Sequence, residues 1–324
     1  MLIKVTHCGV CHSDVHFWEG FYSRGGGKRF NISDRGVKLP RAVGHEILGN
    51  VVKLGPSAKG VSIGDRRIVY PWVGCGKCRQ CQKGDDNLCT QQKIIGVAVD
   101  GGFASHVVVP HSRYLVDPGD LDPAVACTFA CSGITVLSAI RKVMPLEPTD
   151  PVFLIGAGGL GLSAIAMLNA LGHQNIISVD ISAEKRAAAS KVSATAVVDG
   201  AGPDPSQEAL TASGGPLLGA IDFVNNSTTA ALAFGVLNKS GKMVQIGVMG
   251  GELKLSLFGM IFKAASIMGN YTGTPAHLRE VTTLAREGRL SSIPVTTVSW
   301  DHANEALMNL RDGKVTGRLV LSHS

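Results

Sequence analysis

The middle of the chain alternates short apolar blocks with longer helical stretches. Val152-Phe153-Leu154-Ile155 is followed by Gly156-Ala157-Gly158-Gly159-Leu160-Gly161, and then by an apolar face through Ala164, Leu168 and Leu171. A second block, Ile176-Ile177-Ser178-Val179, ends at Asp180. Four more follow at Ala196-Val197-Val198-Asp199, Ile221-Asp222-Phe223-Val224, Met243-Val244-Gln245-Ile246 and Ser266-Ile267-Met268-Gly269. Apolar blocks of this length between helical stretches are what a parallel sheet covered on both faces requires. A doubly wound α/β sheet is therefore predicted over residues 132–270. Residues 1–131 read as short strands and many turns, with a cysteine-rich loop at 74–90. Residues 271–324 predict helices over His277–Glu287 and Asp301–Arg311 and a closing strand at Arg318–Leu321, and are expected to return to the first domain.

One stretch, Pro151 to Gly172, is apolar enough to be weighed as a membrane span. Its cluster of glycines interrupts a bilayer helix but makes a good strand-to-helix turn, so a buried strand and an amphipathic helix are expected instead.

Gly156, Gly158 and Gly161 form G-x-G-x-x-G, a weak signal alone but a strong one between a buried strand and a helix. Gly156 permits the turn, Gly158 lets the backbone approach a pyrophosphate, and Gly161 lets the helix pack on the strand. With Gly159 and Leu160, they open a helix whose N-terminal N–H groups favour phosphate. Asp180, at the end of the second strand, stands where a carboxylate accepts the adenosine ribose hydroxyls and repels a 2′-phosphate, so NAD is preferred over NADP.

The chain's 324 residues allow two domains, and 45% apolar with 17% charged residues describes a packed globular protein. The net charge of +6 is scattered with no long basic run, which argues against nucleic-acid binding and suits a phosphate-bearing cofactor. Eight cysteines without a secretory leader point to a reducing, cytoplasmic setting.

Cys75, Cys78, Cys81 and Cys89 follow C-x2-C-x2-C-x7-C, flanked by the turn formers Gly74, Gly76, Gly84 and Asp85-Asp86-Asn87. Four regularly spaced sulfurs specify a closed tetrahedral zinc site better than two disulfides or a redox pair. Other metal-capable residues recur at Cys8 to Asp14, Gly44-His45-Glu46, and Cys127 to Cys131, none diagnostic singly.

The chain resembles the medium-chain, zinc-dependent alcohol dehydrogenases of bacteria and archaea over nearly its whole length. The resemblance rests on Gly9-Val10-Cys11-His12-Ser13-Asp14, Gly44-His45-Glu46, the Cys75–Cys89 loop, Cys131-Ser132-Gly133-Ile134-Thr135 and Gly156 to Gly161. It implies a mainly β, GroES-like catalytic domain with a zinc lobe, beside the Rossmann domain. It further implies that Cys11, His45 and Cys131 hold a catalytic zinc, with Glu46 able to exchange with its water and Asp14 orienting His45. The second zinc would be structural, giving two per chain. By the same resemblance His12 and Arg318 contact the pyrophosphate, Thr135 with Gly247 and Val248 the nicotinamide, and Lys185 the adenosine ribose beside Asp180. Trp72 would line the substrate pocket. The reaction implied is NAD-dependent oxidation of primary or secondary alcohols and its reverse, the proton leaving by Ser13, the nicotinamide ribose and His16. A homotetramer, or a homodimer, is the implied assembly.

Four zinc-bound thiolates leave a net −2 site, a poor Lewis acid. Two thiolates and a neutral imidazole leave a neutral site with one open position, where an alcohol ionises near neutral pH.

Family members carry strands before the segment that begins at Leu2-Ile3-Lys4-Val5, and without them an unpaired sheet edge is expected. Cys8 and Cys127 read as buried packing residues, and Tyr22 to Lys38 as a flexible surface loop bordering the substrate entrance with Trp18, Phe21 and Tyr22. A polyol dehydrogenase is the runner-up, although that branch commonly has glutamate where this chain has Cys131. A quinone reductase, a zinc-ribbon module and a catalytically silent zinc protein remain further alternatives.

Overall fold

The computed structural model describes residues 1–215 and 217–323, apart from the side chain of Arg35. Among them, two sheets carry most of the chain. One runs in the order Val295–Ser299, Arg318–Ser322, Leu2–Val10, Glu46–Lys53, Arg66–Val69, Leu115–Val116, with His106–Val108 beside the start of Leu2–Val10. Its pairings are antiparallel except between Val295–Ser299 and Arg318–Ser322. The C-terminal strand thus returns to the first, with His7 opposite Ser322.

The second sheet is parallel throughout, in the order Ala196–Asp199, Ile176–Asp180, Val152–Ile155, Leu217–Asp222, Leu237–Gln245, Ser266–Gly269. The strand order reverses between Val152–Ile155 and Leu217–Asp222, which creates the crevice where such sheets take ligands. All four residues of Val152–Ile155 are buried, as its unbroken apolar sequence requires. Two strands begin earlier than their apolar blocks indicate, at Leu217 and Leu237. The strand Val295–Ser299 was not legible at all: its VTTVS is half polar because it lies at an edge.

Three expectations need correction. The helix Gly159–Ala170 is not amphipathic but buried on most sides, at Leu162, Ala164, Ile165, Ala166, Met167 and Leu168, because it is sandwiched between sheet and neighbouring helices. Among the described residues the helical run long and apolar enough to cross a membrane is Pro123–Val143, not Pro151–Gly172, and 89% of its apolar window is buried inside the protein. That helical run continues through residue 131. Residues expected to form a flexible loop instead pair as the hairpin Phe21–Gly25 with Lys28–Asn31, closed by Gly25, Gly26 and Gly27 at positive φ.

The open edge expected at the first strand is not found either. Leu2–Val10 has Glu46–Lys53 on one side, and His106–Val108 and Arg318–Ser322 share the other.

Candidate active site

Three separate segments deliver three ligating side chains to one buried point. The strand Leu2–Val10 ends at Cys11, the N-cap of the helix His12–Glu19. His45 immediately precedes the strand Glu46–Lys53. Cys131 sits in a π-helical turn, Phe129–Gly133, inserted within the helical run. Such turns widen a helix locally and recur at functional sites. The ligand atoms of Cys11, His45 and Cys131 all lie within 4.8 Å of one another, and all three residues are buried.

One carboxylate organises this cluster. Asp14 is fully buried, and its Oδ2 accepts the Cys11 backbone N–H at 2.9 Å. Its Oδ1 accepts the Gly44 N–H at 3.0 Å and faces His45 Nδ1 at 3.0 Å. With Nδ1 turned to Asp14, Nε2 is the ring nitrogen that a metal ion would take by displacing its proton.

The donor chemistry fits a dication. Cys11 is held well below its usual thiol range, first by a hydrogen bond from the Cys131 thiol, against burial and with help from His45 and Arg318. Cys131 is pushed up by that same hydrogen bond and by burial. Against burial, Asp14 and then Cys11 raise the His45 ring well above its ordinary value, so the two sulfurs and the ring share protons that a metal ion would displace.

Glu46, grouped with these ligands on sequence grounds, stands outside the cluster. Its Oε2 accepts from the Arg318 guanidinium and its Oε1 from the Ser132 N–H at 3.1 Å. Burial pushes its carboxyl up to about 7, against the pull of Arg318. Arg318 is itself only 5% exposed. A Cβ on Gly9 would stand 1.9 Å from Glu46 Oε2, and one on Gly159 would stand 2.4 Å from Arg318 Cδ. Those two glycines make room for the ion pair, and Gly159 thereby ties the glycine turn to the catalytic sheet.

The glycines of the turn differ in their surroundings. Gly156 has φ +95°, and a Cβ on Gly161 would lie 1.9 Å from the Gly156 carbonyl oxygen. Nothing lies within 4 Å of a Cβ on Gly158, which faces open space of the kind a pyrophosphate needs. Asp180 accepts the Ala157 N–H on Oδ2 and the Ser182 N–H on Oδ1, both at 2.8 Å, so it also braces the turn. Lys185 lies in the first turn of the following helix, capped by Ser182. His12 is exposed beside this turn, with the charges of Arg318 and Lys185 both bearing on it.

Residues 1–118 match the alcohol dehydrogenase GroES-like domain, and residues 159–287 match the zinc-binding dehydrogenase family. An NAD-dependent alcohol dehydrogenase of Sulfurisphaera tokodaii is 36% identical over 323 residues, 99% of this chain and 92% of that protein. The chain belongs to the zinc-binding alcohol dehydrogenase family. A D-arabinose 1-dehydrogenase (NADP(+)) of Saccharolobus solfataricus is 32% identical over 99% of this chain and 90% of its own length. The crystal structure of the alcohol dehydrogenase from Aeropyrum pernix superposes with a TM-score of 0.90 at 29% identity, covering 99% of this chain and 91% of that one.

In this zinc-binding alcohol dehydrogenase the remaining candidates fall around the cleft. Trp72, 4% exposed, sets its ring 5.9 Å edge-on to His45. Thr135 is buried in the first turn after the π turn, and its Oγ1 has no partner. Ser13 is half-buried on the first turn of His12–Glu19. His16 lies 4.6 Å from the Tyr22 ring, and neither of its ring nitrogens has a partner. A cavity of about 310 Å³ opens between the hairpin, at Tyr22 and Arg24, and Asn225, Gly247 and Val248 in the loops that follow the strands Leu217–Asp222 and Leu237–Gln245.

The four-cysteine lobe is equally well defined. Its sulfurs lie within 4.8 Å of one another and form no disulfide. Cys89 Sγ accepts the N–H groups of Cys75 and Gln91, each at 3.4 Å. The N–H groups of Lys77 and Cys78 hold Cys75 at about 6. Buried Asp86 fastens the lobe to the Arg113 guanidinium at 2.7 Å and to the Tyr114 hydroxyl at 2.8 Å.

Sequence reasoning missed two residues that shape the site. Asn225 adopts φ +59° and donates from Nδ2 to the Gly247 carbonyl at 2.8 Å, holding the loop of Val248. Ser132 acts through its backbone on Glu46. The asparagine's signal was its place just beyond the strand Leu217–Asp222; a main-chain contact leaves no signal in side-chain identity.

Proposed function

We propose that the chain is an NAD-dependent dehydrogenase interconverting primary or secondary alcohols with aldehydes or ketones, with a catalytic zinc on Cys11, His45 and Cys131. The observation that carries this reading is the convergence of those side chains, with a buried carboxylate behind them, beside a phosphate-accepting glycine turn. When bound, zinc supplies Lewis-acid activation of the substrate oxygen and NAD supplies the hydride acceptor.

The protein's own residues bind, orient and move the proton. Asp14 fixes the ring of His45 and the backbone of Cys11 together. Trp72 walls the site against water beside His45. Ser13 Oγ takes the hydroxyl proton, and His16, one turn on, carries it toward solvent. Burial keeps His16 below its usual pKa, opposed by Glu19 and Cys11, so the ring is neutral at pH 7 and able to accept. Asp180 and Lys185 hold the adenosine ribose; Gly156, Gly158, Gly159, Leu160 and Gly161, with His12, hold the pyrophosphate; Thr135, Gly247 and Val248 hold the nicotinamide. Arg318 reaches the pyrophosphate only by sharing or leaving Glu46, and its buried Nε has no partner.

A second zinc, on Cys75, Cys78, Cys81 and Cys89, is structural, making two per chain. The assembly is a homotetramer, with a homodimer as the smaller alternative. Support comes from the helix Leu257–Lys263, where Leu257, Phe258, Ile261 and Phe262 are 80%, 69%, 75% and 60% exposed beside the edge strand Ser266–Gly269. The setting is cytoplasmic, in keeping with eight unbridged cysteines.

The test is a titration of metal-replete protein with NAD and a panel of aliphatic, benzylic and polyol alcohols, following absorbance of the reduced cofactor. Turnover that disappears in His45→Ala is expected. Turnover indifferent to that change, or none with any alcohol, overturns the reading.

A further inference from the structure

We infer that Asn270 is a positioning residue for the nicotinamide pocket and joins that pocket to the four-cysteine lobe. The inference rests on the reading of Thr135 as a cofactor contact.

Residues 270–273 leave the last parallel strand, Ser266–Gly269, and lead into the helix Pro275–Arg286. Their path is tightly constrained. Thr272 adopts φ +52°, a conformation threonine rarely takes. A Cβ on Gly273 would stand 2.4 Å from the Ile134 carbonyl oxygen, so this segment lies hard against the start of the helix Ile134–Val143.

Asn270 grips that helix at two points. Its Nδ2 donates to the Thr135 carbonyl at 3.1 Å and to the Thr272 carbonyl at 3.3 Å. Its Oδ1 accepts the Ser138 hydroxyl at 2.9 Å. Ser138 is one turn beyond Thr135, so a single side chain sets the rotation of this first turn about the helix axis. The preceding turn is π-helical and carries Cys131. Among the described residues the buried Thr135 Oγ1 has no partner, which leaves it to face a ligand group. Tilting the turn would move that hydroxyl away from any such group.

The same segment is held from its other side. Asn87, in the cysteine lobe, donates from Nδ2 to the Tyr271 carbonyl at 2.7 Å. Tyr70, two residues before Trp72, donates its hydroxyl to the Gly273 carbonyl at 2.8 Å. A continuous path therefore runs from the lobe through Asn87, Tyr271 and Asn270 to Thr135. This gives the lobe a role beyond local stability: it anchors the strand exit against which the nicotinamide-side helix is set.

The experiment measures the NADH dissociation constant by fluorescence, metal content, and the KM values for NAD and alcohol, in wild type, Asn270→Ala, Asn87→Ala and the double variant. Loss of the hold on Thr135 and Ser138 predicts NADH binding weakened roughly tenfold in Asn270→Ala, about 1.4 kcal/mol. The KM for NAD should rise in parallel, with metal content and the KM for alcohol unchanged. Asn87→Ala should give a smaller change in the same direction, and the double variant should be no worse than Asn270→Ala.

Unaltered NADH affinity in folded, metal-replete Asn270→Ala overturns the positioning role. Independent, additive effects overturn the link to the lobe. If Asn270→Ala does not fold, Ser138→Ala, which removes one grip only, provides the same readout. A wild type that binds no NADH refutes the functional reading itself, whereas a wild type that binds it as tightly as Asn270→Ala refutes only this inference.

Discussion

Asp14 and His45 are joined by a buried contact of 3.0 Å between Oδ1 and Nδ1, and the same carboxylate oxygen also takes the Gly44 N–H. Asp14→Asn keeps the volume but replaces an acceptor with a donor that opposes His45 Nδ1–H. Metal affinity at the three-residue site should fall roughly 10- to 100-fold, as for other supports of metal-binding histidines. Metal content after dialysis against graded chelator measures this, and the four-cysteine metal serves as the internal control.

Two glycines of one turn should separate fold from cofactor. In Gly161→Ala the new methyl meets the Gly156 carbonyl at 1.9 Å, whereas in Gly158→Ala it meets nothing within 4 Å. The first should lower stability by about 1–3 kcal/mol and weaken NADH binding as well. The second should leave the melting temperature unchanged while weakening NADH binding alone. Thermal melts and NADH fluorescence on both variants decide the matter; equal NADH affinity in wild type and Gly158→Ala contradicts the assignment.

Removing one sulfur from the lobe should remove its metal. Cys78→Ser is expected to lower zinc from two ions per chain to one and to lower the melting temperature by several degrees. His45→Ala should also remove one ion, but from the other site, and with less effect on melting, because the lobe has little apolar core of its own. Elemental analysis paired with thermal melts distinguishes the two.

His16 should make stability sensitive to acid. Its native pKa is depressed, first by burial, below the ordinary 6.5, so the native state favours the neutral ring. The unfolded chain binds that proton first as pH falls, and stability rises with pH wherever it binds more. The contribution is therefore complete above pH 6.5 and lost as pH falls toward the depressed native value. His16→Phe should shrink the drop in melting temperature between pH 6.5 and pH 5; an identical drop in both proteins would count against a buried neutral imidazole.

The parallel sheet, the glycine turn and the four-cysteine lobe were legible in the sequence because each is written locally, whereas Cys11, His45 and Cys131, on three distant segments, were grouped only through the family resemblance. Apolar blocks such as Val152–Ile155 can only be buried strands, and ligands three residues apart on tight turns must converge. What the tertiary structure alone decided is where the charges meet. Glu46 faces Arg318, 272 positions away, and Asn270 grips Thr135 and Ser138 from across the fold. Local pattern fixes which residues must be buried. A buried carboxylate or amide then takes whichever partner the packing brings within reach, because leaving it unpaired costs more than any single local preference can supply.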